Sequence, residues 1–271
     1  MTNVIERNNV KVSGVASGQP MIFAHGFGCD QQMWRWVVPA FEHDHHIVLF
    51  DHVGCGGSDA SAYDPQSYGT LDRYAADVLE LIHELDLRDV VFVGHSVSSM
   101  IGVLASIAEP DRFAGLVLVG PSPRYIDDGE YVGGFQASDI DELLDSLDSN
   151  YLGWSRAMAP TIMGNPDRPE LGEELSESFC RVDPAIARQF ARVTFLGDNR
   201  ADLERVTVPT LVVQCSDDVI APTAVGTYVH ERIADSALEI LDVSGHCPNL
   251  SAPDQTAEAI RRFVDRSAAL V

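Results

Sequence analysis

The segment VVFVGHSVSSMIG, residues 90–102, decides how the rest of the chain is interpreted. A run of β-branched and aromatic residues stops at Gly94, and small residues with helical spacing follow Ser96. This order predicts a strand, a sharp turn and a helix, with the Ser96 hydroxyl lifted out of the local backbone. The first amides of the helix stay free to bind developing negative charge. Ser96 is thus a candidate nucleophile, the alternative being a plain βα turn whose serine caps the helix.

Strand and helix patterns alternate on both sides of this segment. The helical patterns cover residues 71–87, 223–233 and 257–264, and a further one at 30–41 is interrupted by Pro39. Alternation with short turns predicts a mainly parallel sheet covered on both faces, as in the α/β class. Besides residues 90–93, the candidate strands are residues 10–15, 20–25, 47–51, 113–119, 209–215 and 238–243.

Residues 122–205 show helical patterns only, with apolar residues three or four positions apart. An all-helical insertion between two strands predicts a cap over the carboxyl edge of the sheet. The core then consists of residues 1–121 and 206–271. Most aromatic and methionine side chains of such a cap pack against each other, but one helix face can line a ligand cavity. We predict this role for Trp154, Met158 and Phe195.

The loops after the predicted strands supply the other groups that a serine nucleophile needs. Residues 25–28 read His-Gly-Phe-Gly and follow a buried strand, which places flexible backbone at the sheet edge where ligands bind. In serine hydrolases of this architecture such a loop supplies one of two oxyanion amides. We assign these amides to the N–H groups of Phe27 and Val97.

A serine hydroxyl needs a base within hydrogen-bond reach and a third group that orients the base. Asp218 and His246 each follow a predicted strand, and the order Ser96, Asp218, His246 is the order expected of an α/β-hydrolase. His246 is the predicted base and Asp218 the predicted acid. Asp217 competes with Asp218, while His25 and His95 are weaker candidates for the base.

Two other motifs suggest ligands at first sight. The cluster His43-Asp44-His45-His46 contains metal-binding residue types, but adjacent histidines do not converge on one ion, so we predict a solvated turn. The glycines of residues 54–57 fit neither common phosphate-binding loop and have no lysine beside them. We therefore predict neither a metal nor a cofactor.

The net charge and the lengths of the apolar runs limit the classes of partner that suit this chain. The 271 residues include 18 basic and 41 acidic side chains, a formal net charge of −23, and Lys11 is the only lysine. This charge argues against a nucleic-acid partner and would suit high salt, where self-repulsion is screened. No apolar run has the length of a signal peptide or a membrane span.

The five cysteines are odd in number and form no C-x-x-C pair, which predicts reduced thiols and a cytoplasmic protein. Three of them flank the motifs above, so one could be reactive, but small buried packing groups are the simpler interpretation. The cysteines are Cys29, Cys55, Cys180, Cys215 and Cys247.

Five motifs in this order carry a resemblance to a known family. They are His-Gly-Phe-Gly at 25–28, Asp51 followed by Gly-x-Gly-x-Ser at 54–58, Gly-His-Ser-Val-Ser at 94–98, Asp-Val-x-Ala-Pro at 218–222 and Gly-His-x-Pro at 245–248. The set resembles the α/β-hydrolase subgroup that contains the bacterial stress regulator RsbQ and the plant strigolactone and karrikin receptors. Residues 165–170 and 187–190 of the predicted cap make it most similar to RsbQ.

The resemblance implies an α/β-hydrolase fold with a V-shaped cap of four helices over an apolar pocket. It implies slow hydrolysis of small hydrophobic esters or butenolide-like lactones, favours Asp218 over Asp217 as the acid, and makes Ser98 part of the subgroup's pattern. It also implies signalling, with a phosphatase-like partner engaged through the cap. The acidic surface departs from the family and puts a shared partner interface in doubt.

Three functions are compatible with these expectations. The first is a serine hydrolase that acts through an acyl-enzyme, and the second is a ligand receptor or regulator whose partner contacts include residues 124–135. The third is a C–C hydrolase or cofactor-free haloperoxidase, because both use the same triad on this fold. The sequence does not separate a hydrolase from a receptor, because a signalling hydrolase can need the complete triad.

Overall fold

The computed structural model describes residues 3–268 and contains one seven-stranded sheet in the order β1-β3-β2-β4-β5-β6-β7. Only β1 runs antiparallel to its neighbour, and the other pairs are parallel. The predicted α/β-hydrolase fold is therefore confirmed. The strands are β1 Lys11–Gly14, β2 Gln19–Ala24, β3 His45–Leu49, β4 Val90–His95, β5 Phe113–Val119, β6 Thr210–Asp217 and β7 Ser236–Ser244.

Helices follow most of the strands and cover the sheet. Every residue of β4 is buried, which fits a central parallel strand with helices on both faces.

Among residues 3–268, no helix combines the length and apolar content that a membrane span requires. The helices outside the insertion are α1 Val4–Arg7, α2 Leu71–Glu84, α3 Val97–Ala108, α8 Thr223–Arg232, α9 Pro248–Ser251 and α10 Pro253–Ala268.

Four further helices lie between β5 and β6, and we call them the cap helices. Their bounds are α4 Ala137–Ser149, α5 Tyr151–Met163, α6 Pro169–Arg181 and α7 Pro184–Phe195. Helix α5 ends at Gly164, whose φ of 63° is the left-handed conformation that glycine adopts without steric penalty. Two isolated β-bridges, Ile126 with Phe135 and Asp128 with Tyr131, precede α4, so the insertion is mainly but not entirely helical. Its role as a separate cap stays a prediction.

Two local expectations hold only in part. Residues 30–41 form two short 3₁₀ helices, Gln31–Trp34 and Val38–Ala40, because Pro39 supplies no amide donor for a continuous helix. The turn predicted for residues 43–46 ends earlier in the structure, because His45 already belongs to β3. His43 and Asp44 are exposed, but His45 is buried as the first residue of β3, with its Nδ1 atom 2.6 Å from Asp44.

Candidate active site

Ser96 occupies the turn between β4 and α3. Its φ and ψ angles of 56° and −122° are unusual for a residue with a side chain. The backbone is held by the Ser96 N–H, which donates to the Val119 carbonyl of β5 at 2.8 Å. A Cβ atom at Gly94 would lie 2.4 Å from the Ser98 carbonyl oxygen, so this turn closes only with glycine there. The strained turn projects the Ser96 hydroxyl above the edge of the sheet.

His246 follows β7 and contacts both other predicted members of the triad. Its Nε2 atom lies 2.8 Å from Ser96 Oγ, and its Nδ1 atom lies 2.7 Å from Asp218 Oδ2. All three side chains are buried. This chain of hydrogen bonds can carry the Ser96 proton to the imidazole while the carboxylate stabilises the imidazolium that forms.

The two neighbouring aspartates at the end of β6 differ in environment. Asp217 is exposed, whereas Asp218 Oδ1 accepts the N–H groups of Ile220 and Ala221 at 2.8 and 3.1 Å. Burial opposes ionisation of Asp218, but His246 and the two amides outweigh it and lower the Asp218 pKa. The structure therefore places Asp218, and not Asp217, in the position that orients the base.

The remaining histidines of the motifs hold backbone groups. His95 Nε2 donates to the His246 carbonyl at 2.7 Å, and burial lowers the His95 pKa to about 3, so the ring stays neutral. His25 Nδ1 donates to the Gly26 carbonyl at 2.9 Å. His246 is thus the histidine that the structure offers as a base for Ser96.

One predicted oxyanion amide belongs to Val97, next to Ser96 in the chain, and the other belongs to Phe27, in the loop after β2. Val97 is the first residue of α3, where an N–H group has no acceptor within the helix. Phe27 follows Gly26, which lies directly against the turn that carries Ser96: a Cβ atom at Gly26 would be 2.5 Å from His95 Nδ1 and 3.3 Å from Ser96 Cβ. Their role as donors to an oxyanion remains a prediction.

A small apolar cavity of about 30 Å³ lies over Ser96. This volume holds roughly two or three water molecules. Burial raises the pKa of the cavity-lining thiols of Cys29 and Cys247, which are protonated packing groups at neutral pH. The cavity is lined by Phe27, Cys29, His95, Ser96, Tyr125, Trp154, Ile162, Leu175, Phe179, Thr194, Phe195, Ile220, His246 and Cys247.

The cap helices supply much of this wall, as predicted, but not through every expected residue. Trp154 and Phe195 line the cavity, and their rings lie 6.3 and 6.1 Å from the Phe27 ring. Met158 instead lies half-buried against the hydrophobic core, and Ile162 takes the corresponding place on α5. Helical spacing puts these α5 residues on one side but does not say which of them reach the cavity.

Sequence reasoning also missed two polar neighbours of the triad. Tyr125 lines the cavity, and burial raises its pKa to about 12, against the opposing effect of Ser96. Gln214 in β6 donates to the Ala221 carbonyl at 2.5 Å and approaches Asp218 Oδ2 at 3.4 Å. The position of Tyr125 shortly after the end of β5 was the available signal, because that strand ends at the same sheet edge.

The end of α5 is tied directly to the loop that carries His246. The His246 N–H donates to the Ile162 carbonyl at 2.9 Å, and Asn165 Nδ2 donates to the Ser244 carbonyl at 3.0 Å. Gly245 has a φ of 95°, and a Cβ atom there would lie 1.8 Å from the Met163 carbonyl oxygen. The cap therefore helps to fix the position of the proposed base.

With this geometry in place, comparison with known proteins identifies the family. The family model described as the alpha/beta hydrolase family matches residues 21–259. The chain belongs to the alpha/beta hydrolase family. This hydrolase is 38% identical to a probable esterase of Oryza sativa subsp. japonica over 268 residues, 98% of this chain and 99% of the relative.

Two further relatives cover almost the whole length of the hydrolase. It is 38% identical to a strigolactone esterase of Arabidopsis thaliana, over 97% of this chain and 98% of that protein. The solved structure of a hydrolase from Oleispira antarctica superimposes with a TM-score of 0.94 at 39% identity, covering 97% and 96% of the two chains. The relatives thus share both fold and sequence with this hydrolase.

Proposed function

We propose that this protein is a serine hydrolase that cleaves a small apolar ester or butenolide-like lactone. The observation that carries the proposal is the continuous chain of hydrogen bonds from Asp218 through His246 to Ser96, at the base of an apolar cavity. Relatives with esterase names at 38% identity support hydrolytic chemistry. A slow turnover and membership of the subgroup that contains RsbQ are further parts of the proposal.

The proposed reaction has two steps through an acyl-enzyme. His246 takes the proton of Ser96 as Oγ attacks the substrate carbonyl, and the oxyanion is held by the N–H groups of Phe27 and Val97. The imidazolium then gives its proton to the leaving oxygen, and the ester bond breaks. A water molecule, deprotonated by His246, releases the acid and restores Ser96. Asp218 keeps the Nδ1–H tautomer of His246 throughout.

The apolar lining of the cavity supports the proposed substrate class. Its lining in the described part of the chain contains no lysine, arginine, aspartate or glutamate. A charged acyl group would therefore lose its hydration without gaining a partner. A volume of about 30 Å³ matches at most a short acyl group such as acetyl, and a five-membered lactone ring would require the side chains of the cavity wall to move apart.

The proposal includes the domain division and the location. Residues 1–121 and 206–271 form the hydrolase core, and residues 122–205 form the cap that closes the cavity. Five cysteines without a disulfide partner in residues 3–268 fit a reducing, cytoplasmic location.

Replacement of Ser96 tests the proposed function. Ser96→Ala is expected to abolish turnover of p-nitrophenyl acetate and labelling by a serine-directed phosphonate. Ser106→Ala is the matched control, because this buried serine of α3 donates only to the Val103 carbonyl of its own helix. Activity retained by Ser96→Ala would refute the nucleophile.

A second candidate function is a ligand receptor that engages a phosphatase-like regulatory protein. Relatives named as karrikin receptors favour it: one from Petunia hybrida is 37% identical over 98% of this chain. The proposed contact is the segment 124–135, which precedes α4 and exposes Val132. In this function the hydrolase would bind or slowly cleave a signal, and stress signalling would follow from the partner.

The receptor function predicts partner binding that depends on the segment 124–135. Val132→Glu would weaken capture of a phosphatase from cell extract while esterase activity stayed unchanged. Leu152→Glu, at a comparably exposed residue of α5, is the control. Equal capture by all three proteins, or none by the wild type, would count against this function.

A further inference from the structure

Three buried polar side chains next to the site have no part in the proposed steps. They are His25 after β2, His52 after β3 and Ser98 in the first turn of α3, and each is fully buried. Ser98 also occupies the position at which the common G-x-S-x-G motif of such turns has its second glycine. Burying a polar group is costly unless it is hydrogen-bonded, so the partners of these side chains show what they hold in place. Among their side-chain nitrogen and oxygen atoms, only His52 Nδ1 has no partner.

Their hydrogen bonds determine where each proton lies. Ser98 Oγ donates to the His25 carbonyl at 2.5 Å, so its single proton is committed. His52 Nε2, at 2.7 Å from Ser98 Oγ, must then be the donor in that contact. His25 Nε2 accepts the backbone N–H of His52 at 3.0 Å, which leaves His25 Nδ1 protonated to donate to the Gly26 carbonyl.

This assignment excludes Ser98 and His52 as a second catalytic pair. The Ser98 proton is donated to a carbonyl and not to the imidazole, so His52 cannot act as its base. Burial lowers the pKa of His52 well below its usual value and lowers the His25 pKa as well, so both rings stay neutral. The network is therefore a fixed set of donors and acceptors.

The end of the network is the peptide that contains the Phe27 amide. The Gly26 carbonyl accepts from His25 Nδ1 and from the Cys29 N–H at 3.2 Å. In a trans peptide the carbonyl and the following N–H point in opposite directions. Fixing the Gly26 carbonyl on the His25 side therefore turns the Phe27 N–H away from it, and Phe27 and Ser96 line the same cavity.

We propose that Ser98, His52 and His25 form a positioning network that orients the Phe27 amide toward the oxyanion. Ser98 fixes the His25 backbone and His52 fixes the His25 ring, so both sides of residue 25 are constrained before the Gly26–Phe27 peptide. The inference rests on the proposed function, since it concerns the oxyanion of that reaction. It explains why a serine, and not the glycine of the common motif, occupies position 98 in this chain.

Two amide substitutions at residue 25, each mimicking one ring nitrogen of the histidine, separate positioning from packing. Asparagine can place an amide N–H near the His25 Nδ1 position, whereas glutamine reaches the Nε2 position and leaves the Gly26 carbonyl without that donor. We expect His25→Gln to lower kcat for p-nitrophenyl acetate at least tenfold with KM nearly unchanged. Losing one oxyanion donor altogether costs about 10²–10³ in rate. His25→Asn keeps a donor for the Gly26 carbonyl but lacks the acceptor for the His52 N–H, so its kcat should fall clearly less than that of His25→Gln.

A tetrahedral inhibitor provides the second readout. Affinity for a boronic acid or trifluoromethyl ketone, which forms an oxyanion on the serine, should fall in parallel with kcat in His25→Gln and in Ser98→Ala. Equal kcat in the Asn and Gln variants, or a loss confined to KM, would overturn the inference. Should His25→Gln fail to fold, Ser98→Ala still decides, because it preserves side-chain volume; Ser106→Ala serves as its control.

The wild type distinguishes failure of this inference from failure of the proposed function. A wild type without esterase activity or phosphonate labelling contradicts the hydrolase itself. An active wild type whose Ser98→Ala and His25→Gln variants retain full kcat and inhibitor affinity contradicts only the positioning network.

Discussion

At the scale of single residues, two adjacent carboxylates at the end of β6 show how environment separates the candidate catalytic acid from its neighbour. Asp218 is buried, receives two backbone amides and contacts His246 Nδ1. The side chain of Asp217 is exposed, while its backbone carbonyl accepts the Gly245 N–H at 2.7 Å. One residue therefore has the geometry to orient the base, and its neighbour helps to hold the histidine loop.

The two aspartates form a matched pair for mutagenesis. Asp218→Asn is expected to lower kcat for p-nitrophenyl acetate by about 10³–10⁴, because an amide no longer favours the Nδ1–H tautomer of His246 or stabilises its charge. Asp217→Asn should stay within about threefold of the wild type. Steady-state kinetics near neutral pH checks both, and a larger loss in Asp217→Asn would reverse the assignment.

Residues that follow strand ends in recognisable motifs were the predictable part of the site. Ser96, Asp218 and His246 each occur in such a motif, and the structure brings them together. The pairing of His52 with Ser98 was not predictable, because it joins residues 46 positions apart whose side-chain directions depend on the packed sheet. Buried polar contacts of this kind leave no periodic signal in a sequence.

At the scale of secondary structure, the sheet followed from the sequence more closely than the connections did. Strands such as β5 show as uninterrupted apolar runs because both faces are buried. The 3₁₀ helices of residues 31–40 show an apolar spacing that also suits an α-helix, and local proline chemistry decides between the two. Which cap side chains meet the cavity depends on how the cap helices pack, which the spacing does not contain.

Helix α7 offers a test of the cavity as the substrate site. Phe195→Leu is expected to raise the relative rate for p-nitrophenyl butyrate or hexanoate over acetate, because a smaller side chain enlarges the acyl space. Met158→Leu, outside the cavity wall, should leave the ratio unchanged. The measurement is kcat/KM across the ester series. An unchanged ratio in Phe195→Leu, or an equal shift in Met158→Leu, would place the acyl group elsewhere.

At the scale of the whole molecule, buried neutral histidines link stability to pH. Burial lowers the pKa of His25, His52 and His95, the last to about 3, from the usual value of 6.5. Below about pH 6.5 the unfolded chain binds protons at these residues and the native chain does not. The contribution of these histidines to the free energy of unfolding is therefore complete at neutral pH and decreases as the pH falls below 6.5.

The expected result is a fall in Tm between pH 7 and pH 5, with net proton uptake on unfolding. Each histidine contributes up to about 1.4 kcal/mol per pH unit in this window. The net charge of −23 acts in the opposite direction, because acid reduces self-repulsion, so the scans belong in molar salt, where repulsion is screened. Calorimetry in buffers of different ionisation enthalpy measures the number of protons that the chain takes up on unfolding. The absence of uptake, or a Tm that rises from pH 7 to pH 5, would contradict the prediction.

The acidic composition also predicts a salt response of the whole molecule. Self-repulsion among 41 acidic side chains should be screened by salt, so the Tm should rise from dilute buffer to molar concentration. A Tm independent of salt would remove the case for salt adaptation.

The central claim, that Ser96 attacks a carbonyl whose oxyanion is held by Phe27 and Val97, is tested most directly by a crystal structure of the phosphonate adduct. The account predicts phosphorus bonded to Ser96 Oγ, with the phosphoryl oxygen about 3 Å from the N–H groups of both residues. A phosphonate bonded to any other residue, or a phosphoryl oxygen directed away from both amides, would contradict it.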